Sequence, residues 1–434
     1  LSIETRMLIV RDGAQVGSVT FGEGAGGDLT VTATDSVQTI GESADGRLSS
    51  GLFSQARSRG NAGNLSIETG TLIVRNGAEV SSGTFSEGAG GNLTVNAADS
   101  IQVIGTTADG RFPSLLTART RADGNAGDLT LKTRQLLIED GGEISSQQTT
   151  PTATGNVGNI RIEAQLLSVG NNASLTVEDR STIAARQRTE SVGNIDIQTN
   201  SLKVDRGIIS AETASTDGGN ISLDMQDVLL LRNGGRISTN AGTQQAGGNG
   251  GNITVNGKFI VAVPQENSII SANAFTGRGG NIRITTQGLF GIAPSANETT
   301  GLSRITASSQ FGISGTIRLN RPDVDPSRGL VQLSTDLQDT SGLIASACPA
   351  DEGNSFAITG RGGIPEDPRQ PLMGNAVWLD DRSPTQTSTP NPQPSIVEAQ
   401  GWVRDRTGQV TLVATHPGSM TQAFYPVVCS VPSK

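Results

Sequence analysis

The chain has 434 residues, a formal net charge of −9, 56 glycines and only 3% aromatic residues. No basic stretch could neutralise a run of phosphates, which excludes nucleic acid as a partner and argues against docking on an anionic membrane. At 34% apolar the chain is lean for a large globular core, yet its apolar residues alternate regularly, which excludes disorder and favours an array of short strands.

The array opens at the first residue. Leu1 to Asn64 and Leu65 to Asp128 align without a gap, with about 40 of 64 positions identical, a duplication rather than a coincidence. Each of these units divides into two coils, opening at Leu1, Leu29, Leu65 and Leu93. The same opening recurs, with drift, at Leu129, Ile160, Ile195, Ile221, Ile253, Ile282 and Ile317. The spacing, about 26 to 36 residues, lies in the range of solenoid repeats. These features predict an all-β fold: a right-handed parallel β-helix of about eleven three-strand coils over residues 1–343, followed by an irregular C-terminal cap over 344–434.

One coil shows the mechanics. In "GGNITVNGKFIVAV", Ile253 and Val255 point one way and Thr254 and Asn256 the other, the period of a half-buried strand. A second short strand is expected at Phe259 to Val263 and a third at Ile269 to Ser271. Turn dipeptides that accept positive φ, such as Asn76-Gly77, Asp140-Gly141 and Asn233-Gly234, separate such strands. Before each opening strand stands a polar corner residue: Asp28, Asn64, Asn92, Asp128, Asn159, Asn194, Asn220, Asn252 and Asn281. Stacked rungs would place these side chains above one another in a hydrogen-bonded ladder. A row of ligand-binding amides is the functional alternative.

Beyond Leu343 the pattern stops. Residues 383–395 ("SPTQTSTPNPQPS") read as a Pro/Ser/Thr linker, and Ala399 to Ala414 as a short β-hairpin around Thr407-Gly408. The tail is expected to cover the open end of the solenoid, with Trp378, Trp402 and Phe424 as its apolar contacts. Both cysteines, Cys348 and Cys429, fall here; they could form one staple or remain separate thiols. The chain starts inside a strand, without a charged and apolar leader, and no apolar run reaches the ~18 residues of a membrane span. The expectation is therefore a fragment whose export signal, if any, lies upstream.

Repeats of the "GNAGNLSIETGTLIVRNGAEVSS" type, together with the tail segments "ACPADEGNSFAITGRGGIPEDPRQPL" and "EAQGWV", resemble cyanobacterial large exoproteins of the filamentous haemagglutinin family. The resemblance covers essentially the whole chain. It implies a secreted or cell-surface, adhesin-like rod exported by two-partner secretion, whose partner would be an outer-membrane transporter acting on an upstream secretion domain that this sequence does not contain. Surface glycans or receptors on host or neighbouring cells are the further partners it implies. No family motif assigns binding positions to this sequence.

Parallel β-helices also carry polysaccharide lyases and hydrolases, which need convergent carboxylates or a carboxylate–metal–base set on one face. The second residues of the opening strands, Ser66, Thr94, Thr130, Arg161, Asp196, Ser222, Thr254 and Arg283, present no row of acids. Glu139-Asp140 and Glu178-Asp179 read as solvated corners. The single histidine, His416, has no nucleophile placed beside it by a motif. "GEGAGG" (Gly22 to Gly27) lacks the helix and lysine of a phosphate cradle, and the Asp of a calcium-binding nonapeptide does not recur with a fixed period. The chain is read as a non-enzyme with no catalytic, cofactor-binding or metal-binding residue to name and no cofactor. A polysaccharide-active enzyme, with a groove flanked by long loops at Gly41 to Arg59 or Gly105 to Asp123, is the alternative, as is a non-catalytic carbohydrate-binding module.

Overall fold

A computed structural model describes residues 1–121, 123–150, 155–179, 192–296, 301–321, 401–404 and 410–413. The chain divides into two units, Leu1–Leu330 and Val331–Lys434. In the first, each coil lays down one long and one short strand. The opening coils contain β1 (Ser2–Arg11) and β2 (Gln15–Thr20), then β3 (Leu29–Ile40) and β4 (Gly51–Ala56). The second copy of the duplication holds β5 (Leu65–Arg75), β6 (Glu79–Thr84), β7 (Leu93–Ile104) and β8 (Leu115–Thr120). Next come β9 (Leu129–Glu139), β10 (Glu143–Gln148), β11 (Ile160–Gly170), β12 (Ser174–Asp179), β13 (Ile195–Asp205) and β14 (Ile208–Ser210). The remaining coils comprise β15 (Ile221–Arg232), β16 (Arg236–Ser238), β17 (Ile253–Ala262), β18 (Ile269–Ser271) and β19 (Ile282–Phe290), then β20 (Ala293–Pro294), β21 (Arg304–Thr306) and β22 (Ile317–Asn320).

All pairing in this unit's two sheets is parallel and runs from one coil to the next. One eleven-stranded sheet takes the long strands in order from β1 to β19 and ends on β22; the other takes the short strands from β2 to β21, with β20 at its edge. The unit is a parallel β-solenoid whose rungs begin where the sequence places the coil openings. Eleven rungs at the 4.8 Å strand spacing stack to about 50 Å.

The expected three strands per coil resolve into two. The first and second short strands join in one long strand, bent where the register slips, as between Thr5 and Met7, Ala33 and Ser36, Thr69 and Thr71, and Thr199 and Ser201. A bulge lets the chain turn a corner without breaking the hydrogen-bond ladder, so no separate strand is needed. The loops expected at Gly41 to Arg59 and Gly105 to Asp123 are likewise shorter than anticipated. Their second halves are β4 and β8, and their first halves fold back through the bridges Glu42–Ser49 and Thr106–Pro113.

Inward positions repeat rung by rung. Leu65, Ile67, Leu72, Val74 and Val80 of one coil are fully buried, and Leu129, Leu131, Leu136, Ile138 and Ile144 fill the same places two coils on. Branched aliphatic side chains stack on their own kind along the axis, which is why a core of this length needs so few rings.

The corner before each long strand is held by two columns. In the first, an amide N–H of each rung donates to the side-chain oxygen of the rung before it: Asn64 N to Asp28 Oδ1 (2.7 Å), Asn92 N to Asn64 Oδ1 (2.9 Å), and so on to Asn281 N with Asn252 Oδ1 (3.1 Å). From Asn159 onward the side-chain Nδ2 donates to the same oxygen, as in Asn220 Nδ2 to Asn194 Oδ1 (2.9 Å). The expected structural ladder is present, and Asp can replace Asn at Asp28 and Asp128 because the column requires an acceptor first. The second column is glycine. A Cβ on Gly91, Gly127, Gly193, Gly251 or Gly280 would lie about 2 Å from the carbonyl oxygen of the preceding rung's glycine. The backbone there approaches too closely for any side chain, which explains the recurrence of Gly before Asn or Asp.

The second unit contains an antiparallel hairpin of β23 (Gly401–Arg404) and β24 (Val410–Val413), with Trp402 opposite Leu412. This agrees with the hairpin read between Ala399 and Ala414. The linker 383–395, Trp378, His416, Phe424, Cys348 and Cys429 lie outside the described residues, as does the expected boundary at 343.

Candidate functional site

The bend in the long strands creates the main concavity of the first unit. At the bend the inward residue is small or a threonine in all of these strands but β15, which has Met225, and the threonine hydroxyl caps the kink. Thr199 Oγ1 donates towards the carbonyls of Gln165 (3.0 Å) and Ser201 (3.1 Å), and Thr286 Oγ1 towards those of Lys258 (2.8 Å) and Gly288 (2.9 Å). Each hydroxyl thereby ties the bend of its own strand to the rung before it. The outward residues on either side of the bend, the fourth and sixth of each long strand, then tilt towards each other and line a groove along the axis.

The groove has two adjoining stretches of about 510 and 720 Å³ that share Asp224 and Gln226. It runs from Ala97 on β7 to Arg321 just past β22, eight rungs, or about 34 Å at the strand spacing. Its walls are rich in carboxamides: Gln165, Gln198, Asn200, Gln226, Asn256, Gln287 and Asn320. Among the described residues these seven side chains make no hydrogen bond to the protein, whereas the corner asparagines are bonded from rung to rung.

Charge in the groove is balanced. Lys132 Nζ lies 3.0 Å from Glu163, Lys258 Nζ 2.9 Å from Asp227, and Arg134 is paired with Asp99. Adding Asp224 and Arg321, the walls and rim carry four cations and four carboxylates. Just past Lys258 and Gln287 in their strands, outside the groove lining, stand two exposed rings, Phe259 (43% exposed) and Phe290 (55%), with centroids 6.3 Å apart. Phe290 folds over Gly288, where a Cβ would meet its ring at 2.6 Å.

The second-position residues Ser66, Thr94, Thr130, Arg161, Asp196, Ser222, Thr254 and Arg283 do form one register column, but it lies outside the groove. The groove belongs to the fourth- and sixth-position columns. Its carboxylates Glu163 and Asp224 are two rungs apart with Gln198 between them, and Glu163 is held by Lys132. Asp140 sits at a positive-φ turn and accepts from Asn171 Nδ2 (3.1 Å), a structural corner; Glu139 ends β9 and Glu178 lies on β12. Among the described residues no group of three or more His, Cys, Asp and Glu side chains could hold a metal ion.

Two other polar clusters stiffen turns. Arg232 donates through Nε and Nη2 to the two carboxylate oxygens of Glu266 (2.8 and 2.9 Å), and the Asn233 amide donates to the same carboxylate (2.8 Å). The Arg232 hydrogen bond, then that of the Asn233 amide, holds the Glu266 carboxyl below its ordinary range. Asp205 is lowered chiefly by Asn233 Nδ2 (2.7 Å). At the other end of the unit, Arg57 stacks between Phe21 and Phe85, with Arg121 4.7 Å from the centroid of Phe85. Burial lowers the Arg121 guanidinium's affinity for its proton. Glu79 and Arg119 approach to 2.8 Å beside this stack, though not aligned as a hydrogen bond, so the pair is a close charge contact.

No family model, curated protein or solved structure matches this chain. Its functional reading therefore rests on its own residues.

Proposed function

We propose that the chain is the rod of a secreted or cell-surface adhesin-like exoprotein of the filamentous haemagglutinin type, exported by two-partner secretion, and that it binds without catalysis. The observation that carries this reading is the groove, which spans eight rungs, presents polar side chains on seven of them and gathers no convergent acids among the described residues. A rod that offers hydrogen-bonding groups on successive rungs suits an extended partner better than a single reacting bond. The repeat and tail resemblance to cyanobacterial large exoproteins supports the secreted location and the route. The test is surface shaving of intact cells that produce the epitope-tagged protein. Loss of the tag to added protease, or its appearance in the medium, is expected; full protection until lysis would overturn the reading.

The polysaccharidase alternative would have to use Glu163 and Asp224, the two carboxylates facing the first stretch of the groove. Release of new reducing ends by the purified chain, lost in Glu163→Gln and Asp224→Asn, would establish it in place of the binding role.

A further inference from the structure

We infer that the axial groove is a binding site for a linear, uncharged polysaccharide. The inference rests on the reading of the rod as a binding surface and specifies where it binds and what it takes. Three observations carry it. First, seven carboxamides line the groove and make no hydrogen bond to the protein among the described residues, although the corner asparagines of the same rungs are bonded along the axis. Each carries a donor and an acceptor, and so does a sugar hydroxyl; the two groups pair in either direction without transfer of charge.

Second, the charges are internally compensated. Lys132, Arg134 and Lys258 each already face a carboxylate, so among the groove's four cations a polyanion would have to displace an acid to reach any but Arg321, at its far end. An acidic polymer would also approach a chain of net charge −9 against its field. Third, the exposed Phe259 and Phe290 stand on strand positions just past the lining residues Lys258 and Gln287, beside the groove and not in its lining. A flat apolar surface beside hydrogen-bonding groups matches a pyranose, whose C–H face is apolar and whose edge is hydroxylated. The groove is a trough, not an enclosed cavity, and continues across eight rungs. That shape receives a chain of sugars, with the weak contribution of each rung multiplied along its length.

The test uses the purified full chain in affinity electrophoresis through gels containing neutral polysaccharides of plant, bacterial and algal origin, with polygalacturonate as the anionic comparator. Retardation by at least one neutral polymer is expected, unchanged between about 50 mM and about 500 mM salt because no charge is screened. The variant Gln165→Ala/Gln198→Ala/Asn200→Ala/Gln226→Ala removes four exposed amides and should weaken that binding about a hundredfold. Phe259→Ala/Phe290→Ala should weaken it about tenfold. Thr130→Ala/Ser222→Ala, in the column outside the groove, should bind as the unmodified chain does. Far-UV circular dichroism identifies any variant that has lost the solenoid. Binding to polygalacturonate alone, neutral binding that survives the amide replacements in a folded variant, or no neutral binding at all would each overturn the proposal. Because the assay uses the isolated chain, its failure would leave surface location standing, and cell shaving tests that separately.

Discussion

Replacing Gly251 with alanine should cut the solenoid at one rung. The new Cβ would sit 1.9 Å from the Gly219 carbonyl oxygen, against about 3.4 Å for ordinary contact, so the two rungs must part by about 1.5 Å at that corner. The obstacle is backbone and cannot rotate away. Three hydrogen bonds cross this gap: Asn252 N and Nδ2 to Asn220 Oδ1 (2.9 and 3.0 Å), and Ile221 N to the Asn252 carbonyl (3.0 Å). An opening of that size breaks all three. At about 1 kcal/mol each, the loss is about 3 kcal/mol. In a stack where each rung touches only its neighbours, the damage stays local. Urea unfolding followed by circular dichroism should show a lowered midpoint, and limited proteolysis should open new sites near residues 219–252. Gly247→Ala is the control, since only Thr276 Oγ1, at 3.9 Å, lies near its new methyl group. If Gly251→Ala unfolds at the same urea concentration as the unmodified chain, or Gly247→Ala is equally damaging, the reasoning from close backbone approach is wrong.

Thr39 is fully buried, its Oγ1 has no hydrogen-bond partner, and it stacks between Val10 and Val74. Thr39→Val should therefore stabilise the first coils by about 1 kcal/mol, read as a higher urea midpoint; a loss of stability would show that the hydroxyl is satisfied in solution. The Glu266 carboxyl is held below its ordinary value of 4.5 by Arg232 and the Asn233 amide. A group depressed on folding contributes stability that is fully present above its unfolded value and is lost as pH falls through its folded value. Hydrogen exchange at the Asn233 amide should therefore accelerate, relative to its intrinsic rate, as pH drops below 4.5, and Glu266→Gln should abolish that pH dependence. An unchanged acid profile in the variant would remove Glu266 as the cause.

The solenoid was legible because its signals are local and repeated. A near-identical duplication fixes the period, strict alternation in stretches such as Ile253 to Asn256 identifies inward residues, and Gly-Gly-Asn corners mark each rung's start. The merging of two short strands into one was not legible. A bulge is a backbone event, and the residue at the bend varies from Ala33 to Thr69 to Met225. The groove escaped for a related reason. Attention to the second strand position, Ser66 to Arg283, finds no chemistry, because the bend brings together the fourth and sixth positions instead. Gln165, Gln198, Asn200, Gln226, Asn256 and Gln287 follow no motif, and only a tally by strand position would have revealed their excess of carboxamides. The long loops were overestimated because β4 and β8 contain polar residues, Ser54 and Gln55 or Thr117 and Arg119, where alternation alone suggests a loop.

The corner ladder also gives the rod a direction. Every bond in it runs the same way, from an amide of the later rung to a side-chain oxygen already set in the earlier one. A finished rung is therefore a template, with side-chain acceptors ready for the next coil's amides and amide donors such as Ile221 N ready for its carbonyls. Each step closes a loop of one coil, a small and constant entropic cost. Assembly can proceed like a zip fastener as the chain becomes available from its N-terminal side, without waiting for distant residues. A chain that had to thread through a narrow opening could thus fold on the far side as it emerged, with the growing rod unable to slip back.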